Sequence, residues 1–511
     1  MSRLRRTCMV ALLVALSSAA CANLGHLRRP PFDGAIGRWD WPSYGRSAQH
    51  PFSAPTTLTP AQAPTLAKAW EFPTGDAVTA TPTVVHGTVY VGSWDGYFYA
   101  LDLETGALRW RFQLDPQPAV QPQPGVDPRP IDSDGGLVTS SAWYEPGRHG
   151  TPDLVIFGGG YTLYALDAHT GGLVWKHAYT GRPDLPPDPA HDETRIFSSP
   201  VVVDGRVIIG VSADGDRPKR GYVVAASLQT GDPVWTLETD VDTNGTILDD
   251  GCGNVWSSGT VLPDLGLVVF DTADCHFQNP PPMSESIIAV RVSDGTIAWQ
   301  YQPPRHDVLC DLDFGATANA GVDRFGHTTF LGVGGKDGTY YSLDPRTGQQ
   351  LWSANVVFGG FSGGFIGTTA YDGHRVYGST AVGDFGRFES NGPQVCDPSN
   401  PADTPIQEPS VHAFDAATGA IAYEQSNSPS FAPTTVAGGM TFNGVAFDAR
   451  VEIRDAASGS LITALPLDVP SWSGIAVVGN AVVFGTGTAP QGAPDGVVVF
   501  TPNGAAPQVP R

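Results

Sequence analysis

Carboxylates in the middle of the chain are the residues that could do chemistry. Asp216 with Asp214 beside it, Asp274, and Asp311 with Asp313 stand at the ends of apolar runs, and Lys336 follows in GGKDGTYYSLD (334–344). Carboxylate oxygens can hold a hard cation or take a proton, and an ammonium can face an anionic or carbonyl oxygen. Taken singly, an aspartate at a strand end is a turn or capping group more often than a ligand, and a lone lysine at a hairpin is usually solvated. What gives these residues weight is their succession through neighbouring inserted segments of the chain.

Other chemistries are excluded by what is missing. The twelve histidines show no His-x-x-x-His spacing for zinc. There is no Walker loop and no Cys-x-x-Cys-His for covalent haem. A net charge of -22 argues against nucleic acid as a partner, since phosphate binding needs clustered Lys and Arg.

The elements that must position the carboxylates are repeats. YALDLETGALRW (99–110), YALDAHTGGLVW (164–175), VAASLQTGDPVW (224–235), IAVRVSDGTIAW (288–299) and YSLDPRTGQQLW (341–352) share one pattern, with weaker copies at HAFDAATGAIAY (412–423), VEIRDAASGSLI (451–462) and VVVFTPNG (497–504). Each reads as a strand, a turn whose glycine supplies positive φ, and a second strand carrying an aromatic. Upstream pairs such as TPTVVHGTVYVGSWDG (81–96) supply two more strands. Eight copies of a four-stranded antiparallel unit bury their faces by stacking around an axis. The fold class is therefore all-β, an eight-bladed β-propeller in which the strand at Ala69–Phe72 completes the last blade. Trp110, Trp175, Trp235, Trp299 and Trp352 are assigned to packing between blades, and Trp256 to packing or a stacking platform. The turn glycines are unevenly spaced between Gly106 and Gly419. A minimal blade needs about 40–50 residues, so these blades carry insertions, and the functional site is expected there.

At the N-terminus Arg3, Arg5 and Arg6 precede the apolar run Met9–Leu16 and the small residues before Cys21. This pattern is a secretory signal, too short to span a bilayer. Ser-Ala-Ala-Cys serves either lipidation at Cys21 or ordinary signal-peptide cleavage. The organisation expected is a signal over 1–22, an N-terminal extension over 23–60, the propeller over 61–505 and a tail over 506–511, in an extracytoplasmic (periplasmic, secreted or envelope-anchored) protein. Four further cysteines fit two disulfides. Folding 252–275 as a hairpin about Pro263–Gly266 brings Cys252 opposite Cys275, which leaves Cys310 for Cys396.

From about residue 40 onward the chain resembles the pyrroloquinoline quinone (PQQ) dependent alcohol dehydrogenases, and polyvinyl alcohol dehydrogenase-like proteins in particular. VVVDGRVIIGVSADGDRPKRGYVVAAS (201–227) resembles the segment in which an acidic residue before Arg-Gly binds Ca²⁺, which implies Asp216. VWSSGTVLPDLGLVVFDTADC (255–275) is similar to a strand pair ending in a calcium ligand, which implies Asp274. HDVLCDLDFGATAN (306–319) resembles the segment that carries a general base, which implies Asp313 first and Asp311 second. GGKDGTYYSLD (334–344) looks like the segment whose lysine contacts the quinone, which implies Lys336. GGFSGGFIGTTAYDGHRVYGST (359–380) is also similar. The resemblance implies PQQ and Ca²⁺ as cofactors, a small or polymeric alcohol as substrate, and an external electron acceptor such as a cytochrome c. It departs from the family in lacking the adjacent Cys-Cys pair, with Pro218-Lys219 before Arg-Gly, and in having Ile366 where a Trp is usual. The competing expectation is a non-catalytic propeller that scaffolds envelope assembly.

Overall fold

The computed structural model describes residues 36–510 except 116–137, 149, 183–193, 213–219, 276–280, 305–311, 358, 361–362, 382–408, 427 and 489–495. β-Branched runs separated by Gly-containing turns favour short antiparallel strands, and the structure has eight sheets of such strands. The innermost strands, which define blades 1 to 8, are Thr83–Val85, Trp143–Glu145, Val201–Val203, Thr260–Leu262, Asn319–Val322, Ala370–Tyr371, Thr435–Ala437 and Ala476–Val478. Each touches the next and the eighth touches the first, so the ring closes. Closure uses the expected strand: Leu66–Pro73 pairs antiparallel with Gly496–Pro502 and is the outermost strand of blade 8.

The repeat tryptophans fasten blade to blade. Trp110, Trp175, Trp235, Trp299 and Trp352, together with Trp70 of the closing strand, each donate the indole N–H to a backbone carbonyl of the next blade at 2.8–3.1 Å. The ring lies over that blade's turn glycine, where a Cβ on Gly171 would stand 2.6 Å from Trp110. Gly171 also has φ +72°. Any other residue there would be strained and would push the indole away.

A second fastening runs nearer the axis. Two residues before six of the innermost strands stands a Ser or Thr, and in all but the first the hydroxyl accepts the backbone N–H of its counterpart in the preceding blade. The links run Thr81 to Ser141, Ser141 to Ser199, Ser199 to Ser258, Ser258 to Thr317 and Thr317 to Thr368, at 2.9–3.0 Å. All these residues are buried, and each bond satisfies a backbone donor that would otherwise be lost from water.

The described part of the N-terminal extension threads the axis. Carbonyls of Trp41, Pro42, Ala48, Gln49, Pro51 and Phe52 accept N–H groups of Val84, Tyr144, Val261, Ala320, Tyr371 and Val436, in blades 1, 2, 4, 5, 6 and 7. Ser53–Ala54 adds a parallel fifth strand to blade 7. The segment is a plug that pairs with nearly every blade.

Antiparallel alternation fixes where function can sit. The run into each innermost strand and the connection from the second strand to the third lie at the same end of the blade. Residues from both therefore meet on one face of the ring.

Candidate functional site at blades 4 and 5

Four sequence-picked residues fall on that face. Trp256 lies in the run into Thr260–Leu262. Asp274 lies in the blade 4 connection between Leu267–Asp271 and Ile287–Arg291. Asp313 precedes Asn319–Val322, and Lys336 lies in the blade 5 connection between Thr328–Gly334 and Thr339–Leu343.

The structure brings them together. Lys336 Nζ is 2.8 Å from Asp313 Oδ1, with side chains only 9% and 1% exposed. The backbone repeats the contact, since Lys336 N–H donates to the Asp313 carbonyl at 2.8 Å. Asp313 Oδ2 accepts the N–H of Asp274 at 3.0 Å. The Lys336 ammonium also stands 5.0 Å from the Trp256 ring centroid, within cation–π range. Taking two charges out of water is costly, and such a pair holds only with good geometry and further hydrogen bonds. Glycines make room for it: the Lys336 carbonyl accepts the Gly360 N–H at 3.0 Å, and a Cβ on Gly359 would lie 1.5 Å from that carbonyl oxygen.

The loops carrying Trp256 and Asp274 are tied covalently. Cys252 and Cys275 form the expected disulfide, with Cα atoms 4.8 Å apart. Beneath it Asp240 Oδ2 accepts the N–H groups of Asp250 and Gly251 at 2.6 and 3.0 Å. Burial pushes the Asp240 carboxyl above its usual range, and these two bonds pull it back. Arg220 is buried and pairs with Asp249 and Glu238.

One group that sequence reading passed over lies close by. Asp271, the last residue of Leu267–Asp271, is 1% exposed, and neither carboxyl oxygen has a hydrogen-bond partner within bonding distance. Burial drives its pKa well above the ordinary value, with the Ala318 N–H only partly offsetting this. It was legible only as an unremarkable strand end. The plug was missed for another reason, since its contacts are made mainly by backbone groups and leave no periodic pattern.

Asp216, Asp311, Cys310, Cys396 and the signal segment lie outside the described residues. Among the described residues no three His, Cys, Asp or Glu side chains form a metal-holding group. Asp274 and the adjacent Asp313 supply oxygen donors of the kind Ca²⁺ takes. An ammonium beside a half-buried indole is a donor set suited to a flat, anionic quinone. No helix among the described residues is long and apolar enough to cross a membrane.

Residues 41–357 match the family described as glucose/ethanol/alcohol dehydrogenase, beta-propeller domain, and residues 336–506 match that of the outer membrane protein assembly factor BamB. The polyvinylalcohol dehydrogenase of a Pseudomonas species is 24% identical over 355 residues, 63% of this chain and 51% of that protein. The quinohemoprotein alcohol dehydrogenase ADH IIB of Pseudomonas putida is 28% identical over 352 residues, 62% of this chain and 47% of that protein. The chain thus spans about half the length of these curated relatives. The crystal structure of the quinohemoprotein alcohol dehydrogenase from Comamonas testosteroni shares the fold with a TM-score of 0.67 at 18% identity, over 93% of this chain and 82% of that one. With more than half its length matched by one family and the same propeller in its structural relatives, the chain belongs to the glucose/ethanol/alcohol dehydrogenase β-propeller family.

Proposed function

We propose that this chain is an extracytoplasmic, PQQ-dependent alcohol dehydrogenase that passes electrons to an external acceptor such as a cytochrome c. The observation that carries the reading is the buried Asp313–Lys336 pair, held against Trp256 on the face where blades 4 and 5 meet. Trp256 would carry the flat face of PQQ and Lys336 would face its oxygens. Asp274, with Asp216, would hold Ca²⁺. When bound, PQQ supplies the two-electron redox chemistry that no side chain here can provide.

The chain's own part is binding and proton transfer. Lys336 pairs with the carboxylate form of Asp313, which is the form that can accept the alcohol proton, and Asp311 is second in line for that role. The backbone bond from Asp274 fixes one carboxyl oxygen, so the base has a set orientation. The BamB match begins at residue 336 and leaves out Trp256, Asp274 and Asp313, so an assembly scaffold gains no support from this cluster.

The test is reconstitution with PQQ and Ca²⁺, followed by dye-linked oxidation of primary, secondary and polymeric alcohols. Turnover that depends on both additions supports the reading. Absence of turnover with every alcohol, despite bound PQQ, contradicts it.

A further inference from the structure

The tip of the axial plug is tied to the segment that carries Trp256 by two routes. On the first, Tyr44 Oη lies 2.8 Å from Thr368 Oγ1. That oxygen accepts the Thr317 N–H at 3.0 Å, and Thr317 Oγ1 in turn accepts the Ser258 N–H at 3.0 Å. On the second, His50 Nε2 lies 2.8 Å from the Gly259 carbonyl. Ser258 and Gly259 follow Trp256 by two and three residues, so both routes end on the segment that carries the indole.

The tip is also built at a conformational cost. Arg46, His50 and Phe52 have φ values of +79°, +50° and +45°, beside Gly45 at +62°. A Cβ on Gly45 would lie 2.6 Å from the His50 Cα. Residues in the left-handed region persist only where their surroundings fix them, and they gather at functional sites. His50 is fully buried, its carbonyl accepts Asn319 Nδ2 at 2.6 Å, and its Nδ1 lies 2.8 Å from the Tyr44 carbonyl. The two ring nitrogens thus each face a backbone carbonyl, and Asn319 holds the residue's own backbone.

We infer that Tyr44 and His50 are positioning residues for the candidate site, setting the height at which Trp256 meets the Lys336 ammonium. This extends the proposed function and rests on it for its catalytic meaning. Loss of either link frees the Trp256 segment to shift, which uncovers Lys336.

The test uses the full chain without cofactor. The rate at which trinitrobenzenesulfonate modifies Lys336 is read by peptide mass spectrometry, alongside the unfolding midpoint. Tyr44→Phe, Thr368→Val and His50→Leu are expected to speed modification about fivefold, the equilibrium worth of one neutral hydrogen bond of about 1 kcal/mol. His50→Gln, which keeps a donor toward Gly259, is expected to restore the wild-type rate. Tyr90→Phe is the control, because it removes a hydroxyl bonded to the Ala168 carbonyl far from the site.

Unchanged Lys336 reactivity in Tyr44→Phe and Thr368→Val, or an equal rise in Tyr90→Phe, overturns the inference and leaves the plug a merely structural element. Should His50→Leu fail to fold, the two hydroxyl variants decide the matter. Failure of the wild-type chain to bind PQQ would sink the proposed function while leaving this measurement intact.

Discussion

Lys336 and Asp313 hold each other twice, through a backbone N–H to carbonyl bond and through an ammonium to carboxylate contact, both at 2.8 Å. Sixteen per cent of the chain's residues are charged, and few of them sit as deep as this pair. Its consequences can be measured.

Removing one partner leaves the other charge buried alone, which costs about 3–5 kcal/mol. Asp313→Asn and Lys336→Met are each expected to lower unfolding stability by that order. The double variant should lose less than the sum. Denaturant unfolding of the four proteins closes the cycle.

With Asp313 as the base of the proposed function, Asp313→Asn should reduce turnover of the reconstituted protein by about 10²–10⁴-fold. Trp256→Phe should keep much of the PQQ affinity and Trp256→Ala should lose it, because only the first retains an aromatic face. Steady-state kinetics and PQQ titration separate the two effects.

The Cys252–Cys275 disulfide closes a loop of two dozen residues that carries Trp256 and Asp274. Loops of that size gain about 3 kcal/mol from cross-linking. The double Cys→Ser variant is expected to unfold at correspondingly lower denaturant and to bind PQQ more weakly. Equal PQQ affinity would show that the two loops hold their places without the bond.

Buried titratable groups give the stability a pH dependence of known sign. Asp271 has its pKa raised by burial. Below pH ~3.9 folded and unfolded chains both carry its proton and its effect is nil; above that the unfolded chain releases the proton first, so stability falls as pH rises. His50 and His412 have theirs lowered, chiefly by burial. They cost stability as pH falls below ~6.5, where the unfolded chain takes up protons the folded chain refuses. Asp271→Asn is therefore expected to raise the thermal midpoint at pH 7 and not at pH 3. His50→Gln should flatten the acid limb.

The fold was open to reading because its signal repeats. Eight turn glycines and five tryptophans at fixed offsets state the blade, and the structure gives each of those tryptophans a carbonyl in the next blade. Cys252 and Cys275 were legible because a single hairpin joins them. The hydroxyl belt is also periodic, two residues ahead of six innermost strands, yet Ser and Thr are too common near turns for the spacing to stand out. The plug and Asp271 left no such trace. Residues 41–52 bind mainly through backbone groups, and Asp271 differs from other strand-end aspartates only in what packs over it.

The most direct measurement is the stoichiometry of PQQ uptake in the presence of Ca²⁺, followed by quenching of tryptophan fluorescence in wild-type, Lys336→Met and Trp256→Ala chains. One PQQ per wild-type chain, with affinity lost in both variants, is the result expected of a quinone held between Lys336 and Trp256. No uptake by the wild type, or equal uptake by all three, would contradict it.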